Sequence, residues 1–227
     1  MATLVLVRHG RSTANAGGVL AGRMAGVLLD EIGLGQAERA AGRLAPLPLA
    51  RAVSSPVERC RQTAELLRAG RTDIPPTQVE AGLSECDYGA WQGRTLQELA
   101  KTDLWKQVQA SPSTVQFPDG ETMVEMSRRS VEAIRRHDAE VTAADGPNAI
   151  WLAVSHGDPI KAILADALAM DLDRFQRLHV DPASISVIRY DSEPRVLATN
   201  THEGDLSWLV AASAGPDAAV GGGDSTV

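Results

Sequence analysis

Two histidines, each followed by glycine, stand at the ends of two apolar segments that are far apart in the chain. Arg8 and His9 follow segment 3–7, and His156 follows segment 149–154 after one serine. Apolar runs of this length predict buried β-strands. In open α/β sheets, ligands bind in the crevice outside the carboxyl ends of the strands. The two histidines therefore predict one site built from both ends of the chain.

A second arginine is placed by the start of a predicted helix. Segment 50–54 is predicted as a short strand, and the Ser55-Pro56-Val57-Glu58 sequence after it has the pattern of a capping box with Ser55 as the N-cap. Arg59 would then lie in the first turn of a helix. Helix N-termini attract anions through free N–H groups and the helix dipole, and an arginine strengthens that attraction. Arg59 is therefore a candidate anion ligand.

Strand-like and helix-like segments alternate along the chain, which is typical of an α/β fold. Residues 10–31 are predicted as a long glycine-rich loop, and long loops in compact domains are often functional. The later elements are predicted as helices at 94–108, 119–140 and 158–170 and as strands at 184–190 and 195–199.

The composition is that of one ordinary globular domain. The 227 residues are 44% hydrophobic and 22% charged, and the formal net charge is −7. This charge argues against a general binder of nucleic acid or membrane surfaces, although a local arginine cluster can still bind an anionic substrate. No membrane span or signal peptide is visible, so a cytoplasmic protein is expected. Cys60 and Cys86 are too few for a disulfide framework and are expected to be reduced thiols.

Five motifs resemble those of one known family. The first is Leu6–Ser12, with Asn15 six residues after its histidine, and the others lie at 29–37, 54–64, 83–93 and 154–157. Across residues 3–205, their content and order are similar to the motifs of the histidine phosphatase superfamily, which includes the cofactor-dependent phosphoglycerate mutases. A single Arg-His-Gly would be weak evidence, whereas an ordered set is specific.

The resemblance implies both a fold and a chemistry. The fold would be a three-layer α/β/α sandwich with a mostly parallel central sheet, as in phosphoglycerate mutases. His9 would take the phosphoryl group as a phosphohistidine, and Glu85 would protonate the leaving oxygen and later deprotonate the attacking water. The phosphoryl oxygens would be held by Arg8, Asn15, Arg59 and His156.

The chain is predicted to form a single domain over residues 1–210, with a small helical cap at about 94–140. Residues 211–227 are rich in alanine, glycine, serine and aspartate, and they are expected to form a disordered tail.

Ligands are expected to be few. Arg23 lies in a loop and is a candidate substrate contact, although an exposed loop arginine is equally common. Arginines neutralise phosphoryl charge without a metal, and His137, His179 and His202 lack metal-ligand spacing, so no metal or cofactor is expected. The expected partner is a small phosphorylated metabolite. The sequence is compatible with a homo-oligomer and does not specify the oligomeric state.

Three functions are compatible with the motifs: a phosphomonoesterase, a phosphoglycerate mutase-type phosphomutase and an inactive phospho-ligand binder. The interval between Glu85 and His156 favours the phosphatase, because mutases of the family carry a longer insertion there. Arg128 and Arg129 resemble a basic pair of true mutases. Their helix is predicted to be amphipathic, however, which puts the pair on a solvated basic face. An inactive binder is disfavoured because every required residue type is present.

Overall fold

A six-stranded sheet forms the middle of the molecule, which the computed structural model describes over residues 2–211. The predicted tail at 211–227 therefore lies outside the described residues, except for Ala211. The strands in chain order are β1 (Thr3–Arg8), β2 (Leu49–Ser54), β3 (Gln78–Val79), β4 (Ile150–Ser155), β5 (Ile185–Arg189) and β6 (Arg195–Thr201). In space the order is β3-β2-β4-β1-β5-β6. The first four of these are mutually parallel, and β5 and β6 extend one edge through antiparallel pairs.

Helices cover both faces of this sheet. They are α1 (Thr13–Ala16), α2 (Glu31–Leu44), α3 (Glu58–Arg68), α4 (Leu96–Leu99), α5 (Asp103–Ala110), α6 (Met123–Asp145), α7 (Gly157–Ala167) and α8 (Trp208–Ala211). Short 3₁₀ turns lie at Ala81–Leu83, Gly89–Trp91, Pro112–Thr114 and Leu172–Arg177. The predicted three-layer sandwich with a mostly parallel sheet is confirmed. No helix between residues 2 and 211 combines the length and apolar content that crossing a membrane requires.

Side chains of the central strands alternate between two apolar cores, as the pleat of a strand requires. On one face, the odd-numbered apolar residues of β1 pack with Leu44 of α2 and Leu67 of α3. On the other face, the even-numbered residues pack with Ile134 of α6 and Ile163 of α7. All six residues of β4 are buried, as expected of a parallel strand covered on both faces. The two cores hold the carboxyl ends of β1 and β4 in a rigid setting.

The segment predicted as a cap forms α4, α5 and most of α6. Leu99, Val108 and Met123 belong to a third apolar cluster, which also contains Phe175. The second half of α6 packs on the sheet instead, through residues such as Val141. The division into a domain and a cap stays a prediction.

The prediction of a single helix over 94–108 is wrong, because the segment forms two helices and each begins after a threonine. Thr95 accepts a hydrogen bond from the Glu98 N–H and begins α4, and Thr102 accepts one from the Trp105 N–H and begins α5. Each threonine is an N-cap, so the chain turns between the two helices.

Gly33 and Gly10 let α2 approach the loop after β1. A Cβ atom at Gly33 would clash with the carbonyl oxygen of Arg11, and one at Gly10 would clash with the carbonyl oxygen of Gly33. Asp30 caps α2 by accepting a hydrogen bond from the Gly33 N–H at 2.7 Å. This close approach of two backbones fixes the loop that follows His9.

Gly33→Ala is expected to destabilise the fold by about 1–3 kcal/mol, the usual cost of overpacking a tight contact. Gly42 lies in the same helix with open space around its Cβ position. The control Gly42→Ala is therefore expected to stabilise the protein by about 0.5–1 kcal/mol through helix propensity. Urea unfolding measures both changes, and equal effects of the two substitutions would contradict the close approach at Gly33.

Candidate active site

The carboxyl ends of β1, β2 and β4 open into a cavity of about 310 Å³. Four of the five residues predicted as catalytic line it: Arg8, His9, Arg59 and Glu85. The fifth, His156, is fully buried and lies edge to face with His9, with ring centroids 5.1 Å apart. The structure therefore brings the two strand-end histidines together.

His9 is held in the tautomer that a nucleophile needs. Its Nδ1 lies 2.7 Å from the carbonyl oxygen of Gly10, so Nδ1 carries the proton and donates to that oxygen. Its Nε2 accepts a hydrogen bond from Arg59 Nε at 3.1 Å. Burial, and then the charges of Arg59 and Arg8, hold the pKa of His9 well below its ordinary value. The ring is therefore neutral near pH 7, with its lone pair on Nε2.

Arg59 connects the two histidines to the loop after α1. It lies in the first turn of α3 and is 2% exposed. Besides its bond to His9, its Nη2 donates to the Gly22 carbonyl oxygen at 2.7 Å and lies 3.1 Å from His156 Nδ1. A rigid, forked guanidinium can make all of these contacts at once, which a lysine ammonium cannot.

His156 is oriented by a serine that was predicted to cap a helix. Ser55 Oγ lies 2.8 Å from His156 Nε2. Val57, which cannot cap with its side chain, is the N-cap of α3 instead. The predicted capping box is therefore wrong. The Ser55 hydroxyl contacts His156 and accepts a hydrogen bond from the Val57 N–H at 3.3 Å. The Glu58 carboxylate accepts from the Gly26 N–H instead of from Ser55. Burial and then the Arg59 charge hold the pKa of His156 well below its ordinary value.

Two buried guanidinium nitrogens of arginines that line the cavity have no hydrogen-bond partner among the described residues: Arg8 Nε and Arg59 Nη1. Arg8 is otherwise fixed by its Nη1, which donates to the Val180 carbonyl oxygen at 2.6 Å. An unsatisfied buried N–H group is costly, and a charged one more so. Two such donors beside the His9 ring are suited to bind an anion with several oxygens.

Glu85 lies in the loop after the 3₁₀ turn Ala81–Leu83 and is only 8% exposed. Its Oε1 accepts a hydrogen bond from the Cys86 N–H at 2.9 Å. Burial, and then the nearby charge of Asp158, raise the pKa of Glu85 to about 7. A carboxyl group with this pKa can donate and accept protons at neutral pH.

Asp158 is a cavity residue that the sequence interpretation missed. His156 is the N-cap of α7, and Asp158 lies in the first turn of that helix. Its Oδ2 accepts a hydrogen bond from the Tyr88 hydroxyl at 2.8 Å, and its Oδ1 lies 3.6 Å from Lys161 Nζ. Its position two residues after the strand-end His156 is the sequence feature that could have identified Asp158 as a cavity residue.

Arg129 is not on a solvated basic face, so that prediction is wrong. Its side chain is 21% exposed, and its Nη1 donates to the carbonyl oxygens of Gly82 and Ser84, each at 2.7 Å. Its Nη2 donates to the Glu85 carbonyl oxygen at 2.9 Å and pairs with Glu121. The turn before Glu85 presents carbonyl groups that need donors, and α6 supplies them through this side chain.

Two predicted phosphate or substrate ligands are placed differently from the others. Asn15 is exposed at the edge of the cavity, and its Oδ1 accepts from the N–H and hydroxyl of Ser12 in the capping box of α1. Arg23 does not line the cavity. Its Nε donates to the Glu85 carbonyl oxygen and its Nη2 pairs with Glu121, both at 2.8 Å. A substrate contact of Arg23 stays a prediction.

The rest of the cavity lining combines polar side chains, such as Gln109 and Gln176, with a set of apolar ones. Six side chains, which we call the apolar wall, come mainly from α4, α5 and the loops beside them: Leu20, Trp91, Leu96, Trp105, Val108 and Phe117. The rings of Trp91 and Trp105 are stacked, with centroids 6.3 Å apart. Charged residues thus surround His9, and the apolar wall forms another part of the lining.

The other histidines each lie within hydrogen-bond distance of a carboxylate. His137 contacts Glu80 at 3.0 Å, and His179 and His202 both contact Asp181. Within residues 2–211, no three His, Cys, Asp or Glu side chains are grouped in a way that could hold a metal ion.

The model of the family described as "Histidine phosphatase superfamily (branch 1)" matches residues 4–201. The chain belongs to this superfamily. "Bifunctional protein Rv2228c" of Mycobacterium tuberculosis is 34% identical over 194 residues, which are 82% of this chain and 50% of that protein. The chain thus spans about half the length of the curated relatives it matches first.

Other members of the superfamily match over nearly their whole length. "Probable phosphoglycerate mutase GpmB" of Yersinia pestis is 29% identical over 198 residues, covering 86% of this chain and 87% of that one. The structure of the mycobacterial glucosyl-3-phosphoglycerate phosphatase Rv2419c with VO3 aligns with a TM-score of 0.77 and 26% identity. This alignment covers 87% of our chain and 98% of the other. Superfamily members similar to this chain therefore include proteins named as phosphatases and as phosphoglycerate mutases.

Proposed function

We propose that the protein is a metal-independent phosphomonoesterase that acts on small phosphorylated metabolites through a phosphohistidine at His9. The observation that carries the proposal is the setting of His9. Its ring is neutral, its Nδ1 proton is held by the Gly10 carbonyl, and its Nε2 lies beside buried guanidinium donors without partners. Phosphoryl transfer needs mainly positioning and charge neutralisation, which this setting provides.

In the first step, the lone pair of His9 Nε2 forms a bond to phosphorus and the ester P–O bond breaks. The electron pair of that bond goes to the leaving oxygen, which takes the proton of the Glu85 carboxylic acid. Arg8 and Arg59 neutralise the charge on the non-bridging oxygens. The products are an alcohol and a phosphohistidine.

In the second step, the Glu85 carboxylate takes a proton from water while the water oxygen attacks phosphorus. The P–N bond breaks, and its electron pair returns to His9 Nε2. Inorganic phosphate is released, and Glu85 is again protonated. One group thus serves as acid and then as base, for which its pKa of about 7 is suited.

The setting of the basic pair supports hydrolysis over a mutase reaction. If the chain were a true mutase, as the resemblance of this pair allows, Arg128 and Arg129 would hold a phosphoglycerate. Here Arg129 is engaged by three backbone carbonyls and Glu121, and Arg128 is 67% exposed on the outer surface of α6. Neither lines the cavity.

The test uses the purified protein with p-nitrophenyl phosphate in EDTA, and with 3-phosphoglycerate plus 2,3-bisphosphoglycerate. We expect nitrophenol release in EDTA and inorganic phosphate from the ester. Folded protein that releases no nitrophenol would refute the phosphatase. Phosphorus NMR measures the products from the phosphoglycerates. If 2-phosphoglycerate forms faster than inorganic phosphate, the mutase reaction replaces the phosphatase reaction as the proposed function.

Arg129→Met is expected to lower kcat/KM, which reports the first step, about 10- to 100-fold for an alkyl phosphate, because a misplaced Glu85 protonates the leaving oxygen poorly. The loss should be smaller for p-nitrophenyl phosphate, whose leaving group needs no proton. The control is Arg128→Met, on the neighbouring exposed arginine, and it should leave both rates unchanged. Equal losses on the two esters would mean that Arg129 only stabilises the fold.

A further inference from the structure

The apolar wall of the cavity contains more hydrocarbon surface than binding a phosphoryl group requires. Trp105 and Val108 lie one helical turn apart on the same face of α5, and both line the cavity. Leu96 of α4 also lines the cavity, although 40% of it is exposed. Apolar surface that stays in contact with water at a cavity is surface that a ligand gains free energy by covering.

The other basic side chains that line the cavity, Lys161 and His179, already have partners. Lys161 Nζ lies 3.6 Å from Asp158 and donates to Gln176 at 3.0 Å. His179 contacts Asp181 at 2.9 Å. Among the arginines that line the cavity, the guanidinium donors without partners belong to Arg8 and Arg59, beside His9. Away from the phosphoryl position, the described lining therefore contains no unpaired cation that could bind a carboxylate on the leaving group.

Two carboxyl groups line the cavity outside the apolar wall, those of Glu85 and Asp158. Glu85 is protonated when the ester reacts, and Asp158 is already paired with Lys161, so neither adds positive charge for an anionic leaving group. A neutral leaving group needs no such charge, and an aromatic one can stack on the Trp105 ring.

We propose that the apolar wall is the leaving-group subsite, and that the substrates are phosphomonoesters of neutral alcohols carrying an aromatic or bulky apolar group. Phosphorylated carboxylic acids are disfavoured by the same subsite. This inference rests on the proposed phosphatase function and names the substrate class of that site.

The test compares three esters whose leaving groups are all alkoxides: naphthylethyl phosphate, ethyl phosphate and 3-phosphoglycerate. Because the reacting bond is similar in all three, differences in kcat/KM report the leaving-group subsite. We expect naphthylethyl phosphate to exceed each of the others by at least about 10-fold, since burying several methylene equivalents gives discrimination of this order.

Variants of the apolar wall locate the effect. Trp105→Ala is expected to lower kcat/KM for naphthylethyl phosphate at least about 10-fold, and to change that for ethyl phosphate less than about 2-fold. Leu96→Ser tests the same wall at a position that is 40% exposed and tolerant of change. Its matched control is Leu197→Ser in β6, a leucine that is also 40% exposed but lies away from the cavity.

The outcomes separate the two proposals. If ethyl or p-nitrophenyl phosphate is hydrolysed but naphthylethyl phosphate is no better than 3-phosphoglycerate, the substrate class is wrong and the phosphatase stands. If Trp105→Ala and Leu96→Ser lower the rates of naphthylethyl and ethyl phosphate equally, the subsite is likewise refuted. If no ester at all is hydrolysed by folded protein, the phosphatase fails, and the substrate class fails with it.

Discussion

His9→Ala is expected to lower phosphatase activity by at least about 10³-fold, because the variant lacks the atom that accepts the phosphoryl group. The fold should be preserved. His9 is buried, but alanine removes the ring without introducing a polar group, and β1 is held by both of its neighbouring strands. Steady-state hydrolysis of p-nitrophenyl phosphate gives the loss, and thermal unfolding checks that the variant is folded.

Labelling with a ³²P-phosphate ester gives a direct measure of the intermediate. Rapid quenching of the wild type is expected to trap an acid-labile, alkali-stable label, the stability expected of a phosphohistidine, and His9→Ala should trap none. The control is His202→Ala, on a histidine that contacts Asp181 outside the cavity. Equal label in wild type and His9→Ala would assign the nucleophile to another residue.

Glu85→Gln is expected to lower kcat/KM for an alkyl phosphate by roughly 10²–10⁴-fold, the usual contribution of a general acid. The loss should be far smaller for p-nitrophenyl phosphate, because nitrophenolate leaves without a proton. With that ester the slow step should become hydrolysis of the phosphohistidine, since the second step lacks its base. A burst of nitrophenol before the steady state measures this change.

The pH dependence follows from the raised pKa of Glu85. The acid form is needed for the first step, so kcat/KM for an alkyl phosphate should be high below pH 7 and fall as the pH rises through the Glu85 pKa of about 7. Glu85→Gln should lack this alkaline decline while having a lower rate throughout. An unchanged decline in the variant would assign the titration to another group.

Much of the site could be predicted because its residues are tied to local signals. His9 and His156 follow apolar strands, and the carboxyl ends of parallel strands meet at one edge of a sheet. Arg59 lies in a helix that starts directly after such a strand. In each case, neighbours along the chain specify where the backbone places the side chain, so the convergence follows once the α/β pattern is recognised.

The remaining parts depend on partners distant in sequence. Ser55 fits an N-cap by pattern, but its hydroxyl contacts His156, which is 101 positions away. Arg129 fits a solvated helix face, but carbonyl groups some 44 to 47 positions away engage its guanidinium. A helical pattern reports which side of a helix is apolar. It does not report which polar group another loop brings to the opposite side.

The pairing of β1 with β4 has a consequence for how such proteins diversify. Arg8 pairs in register with Ser155, and the His9 N–H donates to the Ser155 carbonyl oxygen at 3.0 Å. The distance between the two imidazoles is thus set by adjacent rungs of one hydrogen-bonded ladder, independent of the long stretch of chain between them. Insertions or deletions in that stretch can reshape what the cavity accepts while the spacing of the two histidines is kept, so new specificities can evolve on the same pair of strands.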